Sequence, residues 1–482
     1  MKNILFKKAN IIILFLICLV FTLFQLNNFF FWDNIIQVSV PANWYFENNF
    51  KYFFLPDDIS TGHPTFAGLY LAIAWKVFGK SLAVSHLAFF PFVFGVVYQA
   101  YCLISKIEKR KFIVFVILSF VVLDPTLISQ LSLVTFDIMQ IFFFLLSVNC
   151  ILKNNKILLS FSFLGLCLTS LRGTVCGAGV ILFAIIYILN TKRKLDLKLL
   201  LSFLPGIFGI AIFLLIFYLN KHWMIHNTVS NNWGESSAHA SFPEMIRNIG
   251  IVAWRLIDFG RVGIWIVFCY IFYKILRNRS MFDDGFKIVF FIALSQVAVF
   301  LPITMLYEYP FAHRYLMPVM IPATIAIIYW LFKYSRYNII ISIALFVCLI
   351  SGYFWIYPEK IAKGWDSTPA HWPYYKMRNE MLAYLKSQSI PIDHVASSFP
   401  NLSTLDAIDL SGGKIKFKDI ELNKDTFILY SNVFNESDEV INELNNSLNW
   451  DTVKRIEKQG VFMTLFKRKL KPIINKNGQS VK

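Results

Sequence analysis

The sequence predicts an α-helical polytopic membrane protein of about eleven transmembrane helices with a small C-terminal extracytoplasmic α/β domain. Three observations predict it. Hydrophobic residues make up 57% of the 482 residues, more than a water-soluble domain carries. Apolar runs recur from residue 10 to residue 356, and each approaches the roughly 20 residues that cross a bilayer as a helix. Lys and Arg gather in short segments between these runs, the pattern of a membrane protein with its basic loops in the cytoplasm. A helix satisfies its own backbone in hydrocarbon, so a helical bundle is expected. The net charge of +17 is spread over the connections, which argues against a nucleic-acid partner.

The basic clusters set the topology. They are Lys2 with Lys7 and Lys8, residues 106–111, Lys153 with Lys156, Lys192-Arg193-Lys194, Lys274 with Arg277 and Arg279, and Lys333 with Arg336. If all are cytoplasmic, the crossings fall at 10–31, 82–105, 111–123, 134–152, 157–171, 174–190, 199–220, 261–276, 286–306, 315–332 and 338–356. The first segment lacks a small-residue cleavage site and reads as a retained helix. Residues 64–79 are short for a span and are expected as an interfacial or re-entrant helix, since a crossing there would move every later cluster to the wrong side. Residues 1–356 then form the membrane domain, with a first outer loop over 32–81. Residues 357–482, polar and broken by Gly and Pro, form the outer domain. A helix is expected at 375–388 and strands at 395–399, 426–430 and 461–466.

The seven cysteines lie mostly in apolar segments and show neither a disulfide framework nor zinc spacing. No cofactor is expected, and no ligand set supports a divalent metal. There is no Walker loop, dinucleotide fingerprint or nucleophile elbow.

This topology sends most of the remaining polar residues to one face. Asp33 follows the first span in Trp32-Asp33-Asn34. It is either an interfacial stop or a general base whose basicity is set by partial burial. His63-Pro64 opens a helix, where an imidazole and the helix N-terminus could meet a phosphate. Arg172 ends an apolar span, where it either snorkels or offers its planar donors to a lipid phosphate. Asp137 stands in a first helical turn, where a carboxylate complements the dipole. Glu308, His313 and Arg314 share one polar loop, and the last two could contact a second anion. Asp57-Asp58 reads as a solvated turn. His222, His226 and His239 match no strong metal spacing.

Four stretches carry a resemblance. They are Trp32-Asp33-Asn34, Gly62-His63-Pro64-Thr65 with Phe78-Gly79, Asp124-Pro125 through Asp137, and Arg314-Tyr315-Leu316-Met317-Pro318. In order and topology they resemble the GT-C superfamily of membrane glycosyltransferases. The likeness is to the branch of protein O-mannosyltransferases and the lipid A aminoarabinose transferase, and it covers roughly residues 10–330. Asn34 stands where that family often has a second acid, and His63 where many members have lysine.

The resemblance implies transfer of a sugar from a polyprenyl-phosphate donor, with inversion, to an acceptor hydroxyl of a lipid, glycan or protein. It implies that Asp33 is the catalytic base. His63, Arg172, His313 and Arg314 are the candidates for the donor phosphate. Trp32, Asn34, Asp137 and Glu308 are candidates for other substrate contacts. A departing phosphate needs positive charge whatever the family. The expected location is the bacterial inner membrane. Two other classes stay open: a transporter or flippase of lipid-linked sugars, and a non-catalytic envelope assembly protein. A transporter should show polar groups at mid-membrane or repeated halves, and neither is visible.

Overall fold

A computed structural model describes residues 2–192, 196–224, 239–308, 312–361, 364–469, 473–474 and 480–481. His226, Arg193 and Lys194 of the sequence analysis lie outside these residues. The chain divides into two units. The first comprises Met1–Phe30, Ile36–Tyr353 and Asp366–Pro369, and the second Phe31–Ile35, Phe354–Trp365 and Ala370–Lys482.

Among its described residues the first unit's regular elements are all helical. Its elements are α1 Lys2–Gln25, α2 Val40–Glu47, α3 Phe66–Phe78, α4 Leu82–Ile107, α5 Lys111–Val122, α6 Pro125–Leu131, α7 Phe136–Lys153, α8 Lys156–Thr169, α9 Leu171–Lys192, α10 Leu197–Leu201, α11 Leu204–Lys221, α12 Phe242–Ile257, α13 Val262–Arg277, α14 Asp284–Leu306, α15 Met317–Tyr334 and α16 Asn338–Ser351. Side-chain caps start several of them: Ser81 accepts from the Val84 amide, Asn155 from Leu158 and Asp283 from Phe286. Neighbours in the chain pack as hairpins (α7 on α8, α8 on α9, α14 on α15), and α4, α7, α9, α14 and α15 build the interior. α15 is buried from Met317 to Leu331. By contrast α11 exposes Phe208, Ile212, Leu215 and Leu219, the apolar surface of a helix that faces lipid. Between helices the polar contacts are sparse and paired. Ser147 donates to Ser162 at 2.9 Å, and Asn149 donates to the Gln99 side chain at 2.9 Å.

Every predicted span is helical, but the count of eleven is not reproduced by length. Six described helices are long and apolar enough to cross a membrane, and eight if each of two bent pairs is one span. Three predicted spans (10–31, 157–171 and 338–356) are apolar helices of 10–17 residues, as is α3. The reasons are local. The first helix stops at Gln25, not at residue 31, where the Asn28 side chain donates back to Gln25. α8 is fixed between its Asn155 cap, preceded by left-handed Asn154, and extended Ser170. The expected loop from residue 32 is also helical in its first half, running through a π-helical turn at Ile35–Ser39 into α2.

Two sharp bends place buried charges. Asp124 closes α5 and caps α6, accepting from the Thr126 amide at 2.9 Å and the Leu127 amide at 3.2 Å, with Pro125 in the first turn. The two helices meet at 77°. α12 and α13 meet at 99° across Asp258–Arg261, where Phe259 and Gly260 take φ of 51° and 79°. The end of α16 lies against this corner. A Cβ on Gly260 would stand 1.8 Å from the Cys348 carbonyl oxygen, and one on Gly352 would stand 2.0 Å from that of Phe259.

The second unit is a small α/β domain. Its sheet has the order β1-β2-β4-β3, with β1 Val395–Ala396, β2 Phe427–Ser431, β3 Trp450–Lys458 and β4 Val461–Arg468. β1 runs parallel to β2, and the other pairs are antiparallel, Phe427 opposite Lys467 and Lys458 opposite Val461. Gln459 and Gly460, both at positive φ, turn the β3–β4 hairpin. α17 Pro373–Ser387 packs on β3 and β4. Its buried Arg378 reaches Asn401 at 3.0 Å and Asp409 at 2.8 Å. The short helices α18 Leu405–Ile408 and α19 Asp438–Leu444, and a two-residue pair β5 Ile473–Ile474 with β6 Ser480–Val481, complete the unit. The expected strand at 395–399 is only two residues long, and β3 was not expected. Phe31 stacks on His371 at 4.5 Å and Trp32 meets Phe399 edge-on at 5.2 Å, so the Trp32-Asp33-Asn34 segment is part of this unit.

Gly260→Ala adds both a left-handed alanine and a backbone clash. The expected cost is about 2–4 kcal/mol, read as a lowered unfolding midpoint in detergent. An unchanged midpoint would mean that the corner is not held by α16.

Candidate active site

The first unit buries a chain of ion pairs built from four connections. α7 begins at Thr135, whose hydroxyl accepts from the Asp137 amide. The Asp137 carboxylate thus stands in the first helical turn. α9 begins just after Ser170, whose hydroxyl accepts from the Gly173 amide and donates to Gln140 of α7. That contact holds the start of α9 beside the start of α7 and turns Arg172 onto Asp137, Nη1 to Oδ1, at 3.2 Å. The 3-10 turn His313–Leu316 brings in Arg314, whose Nε lies 3.3 Å from the other Asp137 oxygen. Arg314 also pairs with Asp366. Asp366 is held in turn by its carbonyl, which accepts from Ser129 and from the Gln130 side chain, each at 2.7 Å.

The two arginines are not equivalent. Arg314 is buried against two carboxylates. Arg172 keeps more solvent access, 12% against 3% for its side chain. It shares Asp137 with Arg314, and its guanidinium lies over the Tyr315 ring at 3.6 Å and near Phe136 at 4.7 Å. Such stacking holds the charge in place without neutralising it.

His63 stands close enough to Arg172 to feel its field. Burial, with the Arg172 charge second, pushes its imidazole down to about 3. It is therefore neutral at physiological pH, a hydrogen-bonding group and not the cation that the sequence suggests. Its Nδ1 is buried and has no hydrogen-bond partner among the described residues. The surrounding loop is fixed from both sides. Thr61 donates to Gln37 at 3.0 Å, and Asp57 pairs with Lys221 at 3.0 Å.

The other candidates fall elsewhere. His313 is buried against Asp258, Nε2 to Oδ2, at 2.7 Å, with its ring 4.5 Å from Phe259. Glu308 makes no ion pair with the cluster; its carbonyl accepts from Arg247 at 2.5 Å. His239 forms an isolated bridge with Tyr307. Trp32, Asp33 and Asn34 belong to the second unit, where Asn34 is buried and its side-chain nitrogen has no partner among the described residues. Among the described residues no three His, Cys, Asp or Glu side chains could share a metal ion.

Sequence reasoning missed two members. Arg261 at the α12–α13 corner grips Asp124 with two bonds of 2.6 Å each and also donates to the Asp258 carbonyl at 3.2 Å. Asp366 lies in a stretch without a recognisable motif. The available signal for Arg261 was a charge beside a Gly turn between apolar helices, since a charge in such a place implies a partner.

The Asp124–Arg261 pair can be tested directly. Asn caps a helix as well as Asp, so Asp124→Asn isolates the loss of charge and strands a buried guanidinium. The expected loss is about 3–5 kcal/mol, seen in thermal unfolding in detergent, and Asp124→Asn with Arg261→Met should recover much of it. Equal midpoints for Asp124→Asn and wild type would show that the pair is not needed.

No protein-family model matches the sequence, and no curated protein matches it. Two solved structures do. One is a crystal structure of ArnT from Cupriavidus metallidurans bound to undecaprenyl phosphate, 10% identical, with a TM-score of 0.50 over 95% of this chain and 98% of that one. The other is the same protein in the apo state, 10% identical, with a TM-score of 0.47 and the same coverage. At this identity the likeness is one of fold: the chain is folded like ArnT over most of its length.

Proposed function

We propose that this protein is a membrane glycosyltransferase that moves a sugar from a polyprenyl-phosphate donor to an acceptor hydroxyl on the extracytoplasmic side. One observation carries the reading: Arg172 meets Asp137 through Nη1 alone among the described residues, stacks on Tyr315, and stands near His63, whose buried Nδ1 has no partner among those residues. The fold supports it, since a structure with that fold holds undecaprenyl phosphate. A lipid-linked donor needs its phosphate met inside a bundle of membrane helices. A guanidinium that shares its carboxylate has donors to spare for two phosphate oxygens.

In this mechanism Arg172 binds the donor phosphate and His63 donates or accepts one hydrogen bond to it. An arriving phosphate would raise the imidazole's affinity for a proton. Arg314, Asp137 and Asp366 are positioning residues: they fix Arg172 and Tyr315, and their surplus carboxylate offsets the Arg172 charge while only its Nη1 meets Asp137. His313 and Asp258 hold the α12–α13 corner in the same way. The acceptor oxygen attacks the anomeric carbon, the bond from that carbon to the phosphate oxygen breaks, and the polyprenyl phosphate leaves with the electron pair. Positive charge at Arg172 stabilises the charge that develops there. Asp33 takes the acceptor proton. The acceptor is a lipid, glycan or protein hydroxyl, and the membrane is the bacterial inner membrane with the second unit outside.

The polar groups gather at helix ends and not at mid-membrane, which disfavours a transporter of lipid-linked sugars. The test is sugar transfer by the purified protein, supplied with radiolabelled polyprenyl-phosphate sugars and an envelope fraction. Wild type should transfer label. Asp33→Asn should stay folded and lose roughly 100-fold to 10,000-fold in rate. Equal transfer by both would remove Asp33 from the mechanism. Movement of intact labelled donor across proteoliposomes, without transfer, would replace the enzyme by the transporter.

A further inference from the structure

A cavity lies at the end of the bundle that the basic clusters assign to the cytoplasm. It has a volume of about 450 Å³ and is formed where Asn10 of α1, the last turns of α4 and α7 and the first turn of α5 come together. Four lysines line it: Lys106, Lys109, Lys111 and Lys153. Apolar side chains line it too, among them Tyr101, Val114, Phe115 and Leu152.

The charges are unbalanced. Its one lining carboxylate, Glu108, is fully engaged. It accepts from the Lys109 and Arg110 amides at 2.8 Å each, and from the Arg110 guanidinium at 3.1 and 2.7 Å. Lys106 donates to the Leu152 carbonyl and Lys109 to the Ser105 carbonyl. Lys106, Lys109 and Lys153 form no ion pair among the described residues. A cavity with an apolar lining and surplus ammonium groups matches an amphiphile that carries a phosphate at one end. Free phosphate would leave the apolar lining wet, and a zwitterionic lipid would bring its own cation to the lysines.

We propose that this cavity is a binding site for one anionic phospholipid of the cytoplasmic leaflet. Its phosphate is held by Lys106, Lys109 and Lys153, and the start of an acyl chain lies along Tyr101, Val114 and Phe115. Such a lipid would tie together the ends of four helices, α1, α4, α5 and α7. Basic pockets between membrane helices on this face suit anionic head groups, at about fivefold in affinity per lysine.

The test uses the purified full-length protein in a neutral detergent, with phosphatidylglycerol as probe and phosphatidylcholine and inorganic phosphate as comparators. Thermal unfolding and native mass spectrometry are the readouts. The expected result is one saturable phosphatidylglycerol site that raises the unfolding midpoint and is weakened in roughly 1 M salt, as screening requires. Phosphatidylcholine and inorganic phosphate should give neither effect. Lys106→Gln/Lys109→Gln/Lys153→Gln should bind at least tenfold more weakly, while Lys274→Gln/Arg277→Gln, in a basic cluster outside the cavity, should bind as wild type does. Equal effects of phosphatidylcholine, or equal weakening by both variants, would overturn the proposal. So would stabilisation by inorganic phosphate alone, which would make the site one for a free anion. The wild-type comparison among probes decides the matter even if a variant does not fold.

Discussion

The carboxylate of Asp137 is the constraint on which the site depends. Two guanidiniums cannot be carried into a bundle of apolar helices without carboxylates to meet them. Asp137 meets both, Arg172 at 3.2 Å and Arg314 at 3.3 Å. One carboxylate cannot satisfy two arginines equally, and Asp366 resolves the difference by pairing with Arg314. What remains is an arginine that meets its carboxylate through Nη1, is held by aromatic faces and keeps more solvent access than Arg314. The functional reading rests on that asymmetry.

The same logic organises the neighbouring elements. Asp124 caps α6 and neutralises Arg261 with one side chain. Arg261 in turn ties down the Asp258 carbonyl, and Asp258 holds His313 directly before Arg314. The two sharp bends in the helices are therefore the means by which the 3-10 turn carrying Arg314 and Tyr315 is positioned. Gly260 and Gly352 let the end of α16 approach this corner closely enough to support it.

Much of this was legible in the sequence, for identifiable reasons. Apolar runs and basic clusters revealed the helices because membrane burial leaves few choices of composition. Asp137, Arg172 and Arg314 were recognisable because charged residues beside apolar spans are costly and rarely idle. Helix ends were less legible. Asn28, which bonds back to Gln25, and Ser170, which caps the start of α9, act through side-chain hydrogen bonds that hydropathy does not register. The β3 strand was missed because Asp451, Lys454, Arg455 and Glu457 give it the look of a solvated segment, although it pairs along its length with β4. Arg261 and Asp366 were hidden because their partners, Asp124 and Arg314, are far away in the chain. Sequence shows that a charge exists, whereas only the fold shows whether it is compensated. The neutral state of His63 is of the same kind, since it follows from burial and the field of Arg172.

The most direct test of the role of Arg172 is equilibrium binding of undecaprenyl phosphate and of undecaprenol to the purified protein, with Arg172→Gln beside wild type. Wild type should bind the phosphate at least tenfold more tightly than the alcohol, and Arg172→Gln should lose most of this preference while still binding both. If the alcohol binds as well as the phosphate, or if Arg172→Gln keeps the full preference, Arg172 does not receive the carrier phosphate and the proposed mechanism fails at its centre.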